Sequence, residues 1–296
     1  MPGLSLDDGV SRIAEHIRRK KCILFLGAGV HSPPPDGCPY TYPPERRPPL
    51  GGDLSEILCD DSNYLKDYPH GNKRNLAQVS LYFEYEKKRR ALIEKVRDAV
   101  SVDKTPSPAL RALAALDFPL VITTNYDNLF EVALAQQMKQ PVKRIYDRSQ
   151  QAEANDFPGD PTPQFPFLFK IHGDVVDDPD SVVITDEDYI HFMMRMGASS
   201  QHNPIPETLL YRFKKDATLF IGYSLLDYNL RLLFKTLQWR LDPANRPEAY
   251  SVDPFPDKLI HEYYGVAGQL VNFIVEDVWN FVPKLYKALK GEEMPQ

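Results

Sequence analysis

The sequence of 296 residues is poor in cysteine, in net charge and in long apolar runs. Its three cysteines, Cys22, Cys38 and Cys59, are odd in number and form no Cys-x-x-Cys pair. This excludes a disulfide framework and a four-thiolate zinc site. The net charge of −6 does not favour direct binding of nucleic acid or of an anionic membrane. The longest apolar stretch, residues 22–30, is too short to cross a bilayer.

The remaining bulk properties are those of an ordinary globular protein. Residues 1–8 lack the basic and apolar regions of a secretory signal, so we expect a cytoplasmic protein. The hydrophobic fraction of 43% and the charged fraction of 26% are typical of a folded, water-soluble chain. A chain of this length buries one large core, which predicts a single domain over residues 1–296 with a smaller lobe inserted in it.

Short unbroken apolar runs recur along the sequence, separated by segments with helical spacing. Such runs are typical of strands that are buried on both faces of a parallel sheet. The predicted strands are residues 22–26, 120–123, 167–171, 218–221, 249–252 and 270–275, and predicted helices include residues 6–20, 128–138, 209–215 and 228–240. This alternation predicts an α/β fold with a doubly wound, Rossmann-like parallel sheet.

Two segments break the alternation. Residues 33–52 contain eight prolines in twenty positions, which predicts a long, partly stiff loop beside a site. Residues 53–116 are rich in helical patterns, at 53–59, 76–100 and 107–116. We therefore expect the inserted lobe to be helical and to span approximately residues 53–116.

The first predicted strand ends in Gly27-Ala28-Gly29, followed by Ser32 where a dinucleotide fingerprint has its third glycine. A Gly-x-Gly turn lets the backbone approach a pyrophosphate closely and offers free N–H groups to it. A tight turn without a ligand is the alternative. His31 lies within this turn and is a further candidate for lining a pocket.

The next predicted strand ends in Thr124-Asn125-Tyr126-Asp127. Functional groups of a doubly wound sheet cluster beyond the carboxyl ends of its strands. There the Asn125 amide could bind a ribose hydroxyl and a water molecule, and the Asp127 carboxylate could hold a carboxamide or a developing cation. Asp127 could instead cap the helix that follows, whereas a buried amide at position 125 needs hydrogen-bond partners.

Three more predicted strands are followed by residues that are candidates for binding or catalysis. His172-Gly173 follows the third predicted strand, and histidine is the general base best matched to neutral pH. Gly222 and Ser224 follow the fourth, where a close backbone and a hydroxyl suit a nucleotide, although the same pattern also starts a helix. Asp253 ends the fifth and is a candidate for binding the hydroxyls of an adenosine ribose.

These motifs, in this order, resemble those of the sirtuin superfamily, whose pattern runs Gly-Ala-Gly-x-Ser, Asn-x-Asp, His-Gly and Gly-x-Ser. The sequences Thr-Thr-Asn-Tyr-Asp-Asn-Leu and Ile-Gly-Tyr-Ser-Leu-Leu-Asp resemble the variants of these motifs in the sirtuin-like NAD hydrolases of bacterial antiphage defence. The resemblance covers roughly residues 10–280. Two departures stand out: the four-cysteine zinc ribbon of the protein-deacylating members is missing, and the segment 33–52 replaces their short loop after the glycines.

The resemblance implies NAD as the substrate, no metal, and a role for each matching residue. His172 would act as the base on a ribose hydroxyl, Asn125 would orient the attacking water and the ribose, and Asp127 would hold the nicotinamide carboxamide. The residues implied to bind the dinucleotide are Gly27, Ala28, Gly29, Ser32, Thr124, Gly222 and Ser224. Because nicotinamide leaves as a neutral molecule, its release needs a bound, distorted ribose and a placed nucleophile rather than a strong acid.

The implied function is therefore an NAD glycohydrolase that forms nicotinamide and ADP-ribose as an effector of antiphage defence. Such an enzyme must stay silent until triggered, so we expect a homo-oligomer or an activating protein partner, such as a DNA-translocating ATPase. One alternative is a protein deacylase or ADP-ribosyltransferase, although the zinc lobe that walls the peptide groove is missing. The other is a nucleotide-binding module without turnover, which would have no need for both Asn125 and His172.

Overall fold

A computed structural model describes residues 4–147, 156–196, 205–223, 246–267 and 270–296. Its centre is a sheet of seven strands in the order β3-β4-β2-β1-β5-β6-β7, in which every neighbouring pair is parallel. The strands are β1 (Cys22–Leu26), β2 (Leu120–Thr123), β3 (Val142–Ile145), β4 (Phe167–Lys170), β5 (Ala217–Ile221), β6 (Ala249–Val252) and β7 (Asn272–Ile274). The predicted doubly wound α/β fold is confirmed.

Six of the seven strands coincide with the predicted apolar runs, and β3 was missed. It lies at one edge of the sheet and is half-buried, and its two central residues are Lys143 and Arg144. Edge strands tolerate charged residues because only one of their sides is paired. A search for unbroken apolar runs finds only those strands that are covered on both faces, and β3 is only half-buried.

Helices precede, connect and follow the strands. Their bounds are α1 (Leu6–Arg18), α2 (Gly51–Asp60), α3 (Tyr64–Asp67), α4 (Leu76–Ser101), α5 (Pro108–Ala115), α6 (Leu129–Gln136), α7 (Asp186–Met196), α8 (Glu207–Phe213), α9 (Lys258–Ile260) and α10 (Val278–Lys290). A 3-10 turn, Ala28–His31, follows β1 directly. The predicted helix at 228–240 lies outside the described residues.

Both faces of the sheet are covered. Along β1, Cys22, Leu24 and Leu26 join a core with apolar residues of α1, α5, α6 and α10. Ile23 and Phe25 point to the opposite face and join a second core with residues of α7 and α8. This alternation explains why the strand is apolar at every position.

The helices between β1 and β2 pack in two different apolar clusters. Helices α2, α3 and α4 share a third apolar cluster, which also contains Tyr126 and Val175 from the loops at the end of the sheet. Helix α5 instead packs in the core of the sheet with α6 and α10. Residues 53–116 are thus mainly helical, and their division from the rest as a lobe stays a prediction. Within the described residues, no helix is both long and apolar enough to span a membrane.

The register of the sheet aligns the ends of five strands. Leu26 of β1 pairs with Thr123 of β2 and with Ile221 of β5. The same row continues from Thr123 to Lys170 of β4, and from Ile221 to Val252 of β6. Because the strands are parallel, the motifs that follow these residues all lie along the carboxyl edge of the sheet, as the sequence predicted.

Candidate active site

The glycines after β1 pack directly against the backbone that follows β5. The N–H of Gly29 donates to the carbonyl oxygen of Gly222 at 2.7 Å, and the N–H of Gly27 donates to that of Ile221 at 3.0 Å. A Cβ atom on Gly27 would lie 2.5 Å from the Gly222 oxygen, and one on Gly29 would lie 2.8 Å from it. The two motifs are therefore joined backbone to backbone, and side chains are excluded between them.

This packing corrects one expectation from the sequence. The turn was expected to offer free N–H groups to a pyrophosphate, but those of Gly27 and Gly29 are used within the protein, and that of Val30 donates to Gly27. Within the described part of the chain, the N–H of Ala28 has no backbone acceptor. The glycines thus serve mainly to bring β1 and β5 close together at the site.

Gly222 is the position where a side chain should be least tolerated. Its φ is +68°, and a Cβ atom would lie 2.1 Å from the backbone nitrogen of Val30. We expect Gly222→Ala to lower the free energy of unfolding by about 3 kcal/mol, because backbone strain and overpacking act together. Denaturant unfolding measures the change. Gly159→Ala is the matched control, since Gly159 has a φ of +66° but nothing within 4 Å of its Cβ position. Equal losses in both variants would contradict the packing argument.

A cavity of about 260 Å³ opens at the carboxyl ends of β1, β2 and β4. Ala28 and His31 line it from the glycine turn, and His172 lines it from the end of β4. The loop after β2 contributes Thr124, Asn125, Tyr126 and Asp127. Pro48 and Pro49 of the proline-rich segment form part of its wall. The structure thus brings the two predicted catalytic residues, Asn125 and His172, into one cavity.

Three polar side chains meet inside this cavity. The Nε2 atom of His31 lies 3.3 Å from Nδ2 of Asn125 and 3.4 Å from Oδ2 of Asp127. The side chain of His31 is 1% exposed and that of Asp127 is 6% exposed. Two buried atoms of the group, Nδ1 of His31 and Oδ1 of Asn125, have no hydrogen-bond partner among the described residues.

The Asp127 carboxylate is already engaged by the protein. Its Oδ1 atom accepts the N–H of Leu129 at 2.9 Å, so the residue supports the first turn of α6, although the N-cap residue is Asn128 and not Asp127. Burial alone would raise the pKa of Asp127, but the His31 ring, the Lys170 ammonium and the Leu129 N–H hold it below its ordinary value. Asp127 is therefore a buried anion that faces His31.

His172 is held in place by its neighbours. The residue is 6% exposed. Its ring contacts the rings of Tyr189 and Phe192 of α7 edge to face, at centroid distances of 5.3 and 5.6 Å. The following residue, Gly173, has a φ of +86°, and a Cβ atom there would lie 2.5 Å from the backbone of Ser181. Only glycine fits this turn, which directs the chain away after placing His172 at the cavity.

A buried group of charges lies beneath the site. Lys170, the last residue of β4, is fully buried and lies 3.0 Å from Oδ2 of Asp174 and 3.6 Å from Oε1 of Glu131. Its ammonium also donates to the carbonyl oxygens of Tyr126 and Asp127. Lys143 of β3 adds a second cation, 3.1 Å from Asp174. The Lys170 cluster, as we call Lys170, Asp174, Glu131 and Lys143, joins the Asn125 loop to the segment after His172.

A second cavity of about 570 Å³ continues along the same edge of the sheet. The two cavities share Ala28, Gly51, Gly222 and Tyr223. Gly29, Ser32 and Asp253 line the second one, with an apolar wall that includes Phe255 and Trp279. Burial raises the pKa of the Asp253 carboxyl. Ser224 lies outside the described residues, so its predicted contact with a dinucleotide stays a prediction.

Several residues of the site were not found from the sequence. Tyr189 and Trp279 line the cavities from helices that carry no motif. Lys170 had a visible signal, because a lysine inside an otherwise apolar strand needs a buried partner. The proline-rich segment was expected beside a site, and Pro33, Pro35, Pro48 and Pro49 do line the cavities. Among the described residues, no group of three or more His, Cys, Asp or Glu is placed to hold a metal ion.

Comparison with known proteins agrees with this arrangement. Residues 119–267, about half of the 296, match the family described as SIR2-like domain. The chain belongs to the SIR2-like domain family. The match begins just before β2 and includes Asn125, Asp127, His172 and Gly222. The resemblance inferred from the motifs is therefore confirmed at the level of the family.

This SIR2-like chain is also similar to three curated bacterial proteins. It is 28% identical to the NAD(+) hydrolase ThsA of Enterococcus faecium over 241 residues, which are 80% of this chain and 44% of that protein. It is 23% identical to the NAD(+) hydrolase ThsA of Acinetobacter baumannii over 295 residues, 95% of this chain and 55% of that one. It is 28% identical to Defense-associated sirtuin 2 of Bacillus subtilis over 267 residues, 86% and 23% of the two chains. The chain spans about half the length of the two hydrolases.

Proposed function

We propose that this protein hydrolyses NAD at the bond between nicotinamide and ribose, giving nicotinamide and ADP-ribose. The observation that carries the proposal is that Asn125 and His172 line one cavity, which continues past Ala28 and Gly222 into a second, larger one. The smaller cavity would take the nicotinamide ribose and the larger one the adenosine. Two relatives named NAD(+) hydrolase support the proposal.

The roles follow from the chemistry of the bond. Nicotinamide leaves as a neutral molecule, so the developing charge lies on the ribose, and the site must bind and stabilise an oxocarbenium-like state. His172 accepts a proton from a ribose hydroxyl, which increases electron density on the sugar as the bond breaks. Asn125 binds the ribose, and Asp127 supplies a buried negative charge nearby. Asp253 binds hydroxyls of the adenosine ribose in the second cavity.

The same proposal extends to the role of the protein in a cell. A relative named Defense-associated sirtuin 2 supports a part in antiphage defence, in which loss of NAD would halt an infected cell. An enzyme of this kind must be inactive until it is needed. We propose that a second copy of the chain or a separately encoded protein activates it.

The test measures nicotinamide release by the purified full chain at increasing protein concentration, with and without an acetylated peptide. We expect equal amounts of nicotinamide and ADP-ribose without peptide, and a rate per chain that rises with concentration if self-association activates the enzyme. Release that depends on the peptide would instead show a deacylase. Binding of ADP-ribose with no release at any concentration would contradict activation by self-association; binding without release after a separately encoded activator is added as well would contradict hydrolysis and indicate a binding module.

A further inference from the structure

His31 is the buried polar residue of the first cavity to which neither the motifs nor the proposed reaction gives a role. It follows Val30 in the 3-10 turn after β1, and its ring lines the cavity together with Asn125, Asp127 and His172. A buried histidine is most often a core residue whose two ring nitrogens are both satisfied. His31 differs, because its Nδ1 atom has no partner among the described residues.

The two neighbours of Nε2 determine where its hydrogen lies. Oδ2 of Asp127 is 3.4 Å from Nε2, and a carboxylate oxygen can only accept a hydrogen bond. Asp127 is kept ionised by its surroundings, so it offers no hydrogen of its own. The contact with Asp127 is favourable when Nε2 of His31 carries a hydrogen, which then faces Asp127 and Asn125.

This hydrogen in turn fixes the orientation of the Asn125 amide. With Nδ2 at 3.3 Å from Nε2, two hydrogen-bond donors would face each other, while the buried Oδ1 atom would have no donor. Rotating the amide by half a turn exchanges the oxygen and the nitrogen, which are nearly equal in size. Oδ1 then accepts from the ring, and the NH2 group takes the position on the other side of the amide, which has no partner among the described residues.

We propose that His31 is a positioning residue that fixes the Asn125 amide with its oxygen on the ring and its NH2 group on the opposite side, through an Nε2 hydrogen shared between Asn125 and Asp127. The effect of this orientation on catalysis rests on the proposed NAD hydrolysis. In that reaction, an NH2 group donates to an oxygen of the ribose. Asn125 therefore binds the sugar as a donor and does not accept a hydrogen from the attacking water at that atom.

The first experiment tests the hydrogen-bond arrangement without any turnover. The full chain is labelled with ¹⁵N-histidine, and long-range couplings between ring nitrogens and ring protons are recorded. The signals of His31 are those that disappear in His31→Gln. We expect Nε2 of His31 to carry a hydrogen in the wild-type protein. A ring with its only hydrogen on Nδ1 would overturn the proposal.

The second experiment uses two substitutions at the same position. Glutamine places an NH2 donor close to where Nε2 lies, whereas leucine fills a similar volume and donates nothing. We expect His31→Leu to lower kcat for nicotinamide release about 100-fold with KM for NAD within about threefold, because Asn125 is then misoriented. We expect His31→Gln to stay within about tenfold of the wild-type kcat.

The controls separate positioning from folding and from the function itself. His70→Gln replaces an exposed histidine and is expected to leave kcat unchanged. Equal losses of kcat in His31→Leu and His31→Gln, or a change in KM alone, would overturn the positioning role. If His31→Leu does not fold, the NMR result and the kcat of His31→Gln test the positioning role. If the wild-type chain releases no nicotinamide, the kinetic comparison is made with an activated enzyme, and the ring spectrum of the isolated chain alone decides the arrangement of His31.

Discussion

Replacing Lys170 by methionine is expected to lower the free energy of unfolding by about 3–5 kcal/mol, because it leaves a buried carboxylate without its nearest cation. Lys170 and Asp174 are both fully buried and lie 3.0 Å apart. Burial raises the pKa of Asp174, but Lys170, Lys143 and backbone N–H groups hold it below the ordinary value, so the carboxylate is charged at neutral pH. Methionine fills the space of the lysine stem and removes only the charge and its hydrogen bonds. Denaturant unfolding at pH 7 measures the loss.

Two further variants make this prediction specific. Lys170→Met combined with Asp174→Asn is expected to recover part of the loss, since the pair is then removed together. Arg90→Met is the surface control, because the Arg90 side chain is 90% exposed and, within the described part of the chain, forms an ion pair only with Glu94, four residues along α4. Its loss should stay within about 0.5 kcal/mol. A loss below about 1 kcal/mol in Lys170→Met would contradict the role of the Lys170 cluster.

Replacing His172 by alanine is expected to lower kcat for nicotinamide release about 10²–10⁴-fold, the range usual for loss of a general base. This prediction depends on the proposed hydrolysis. The ring is nearly buried, and its edge-to-face contacts with Tyr189 and Phe192 fix its position at the cavity. Steady-state release of nicotinamide measures the effect at several values of pH.

Phenylalanine at the same position distinguishes the proton transfer from the packing. It retains an aromatic ring against Tyr189 and Phe192 but cannot accept a proton. We expect His172→Phe to lose as much activity as His172→Ala and to lose less stability, because the space beside α7 stays filled. Activity within about tenfold of the wild type in His172→Phe would show that the ring serves only packing.

The sheet and the row of motifs were predictable because the same physical rule produces both. Strands buried on both faces must be apolar at every position, and the residues at their carboxyl ends must then meet at one edge. Asn125, His172, Gly222 and Asp253 were found in this way, each within two residues of the end of a predicted strand. Their separate roles in catalysis were not predictable from this rule and stay predictions.

Contacts between distant segments could not be predicted from the sequence. The N–H of Gly29 has a partner in Gly222, 193 positions further along the chain, and no local pattern shows that this donor is already used. The same holds for His31, whose neighbours Asn125 and Asp127 lie almost a hundred residues away. Strand β3 was missed for a different reason, since Lys143 turns towards Asp174 and Glu131 and makes an edge strand look like a polar loop.

The proline-rich segment shows how a wall can be ordered with little secondary structure. It lines both cavities between Ser32 and Leu50, with one 3-10 turn at Pro44–Arg46. Ordering an ordinary residue costs about 1–2 kcal/mol of backbone entropy, and each proline lowers this cost by restricting the unfolded chain. Eight prolines in twenty residues thus stabilise the wall mainly by leaving the unfolded segment few conformations. The shape of the candidate site therefore depends in part on a property of the unfolded chain, its small conformational entropy, and not only on contacts within the native protein.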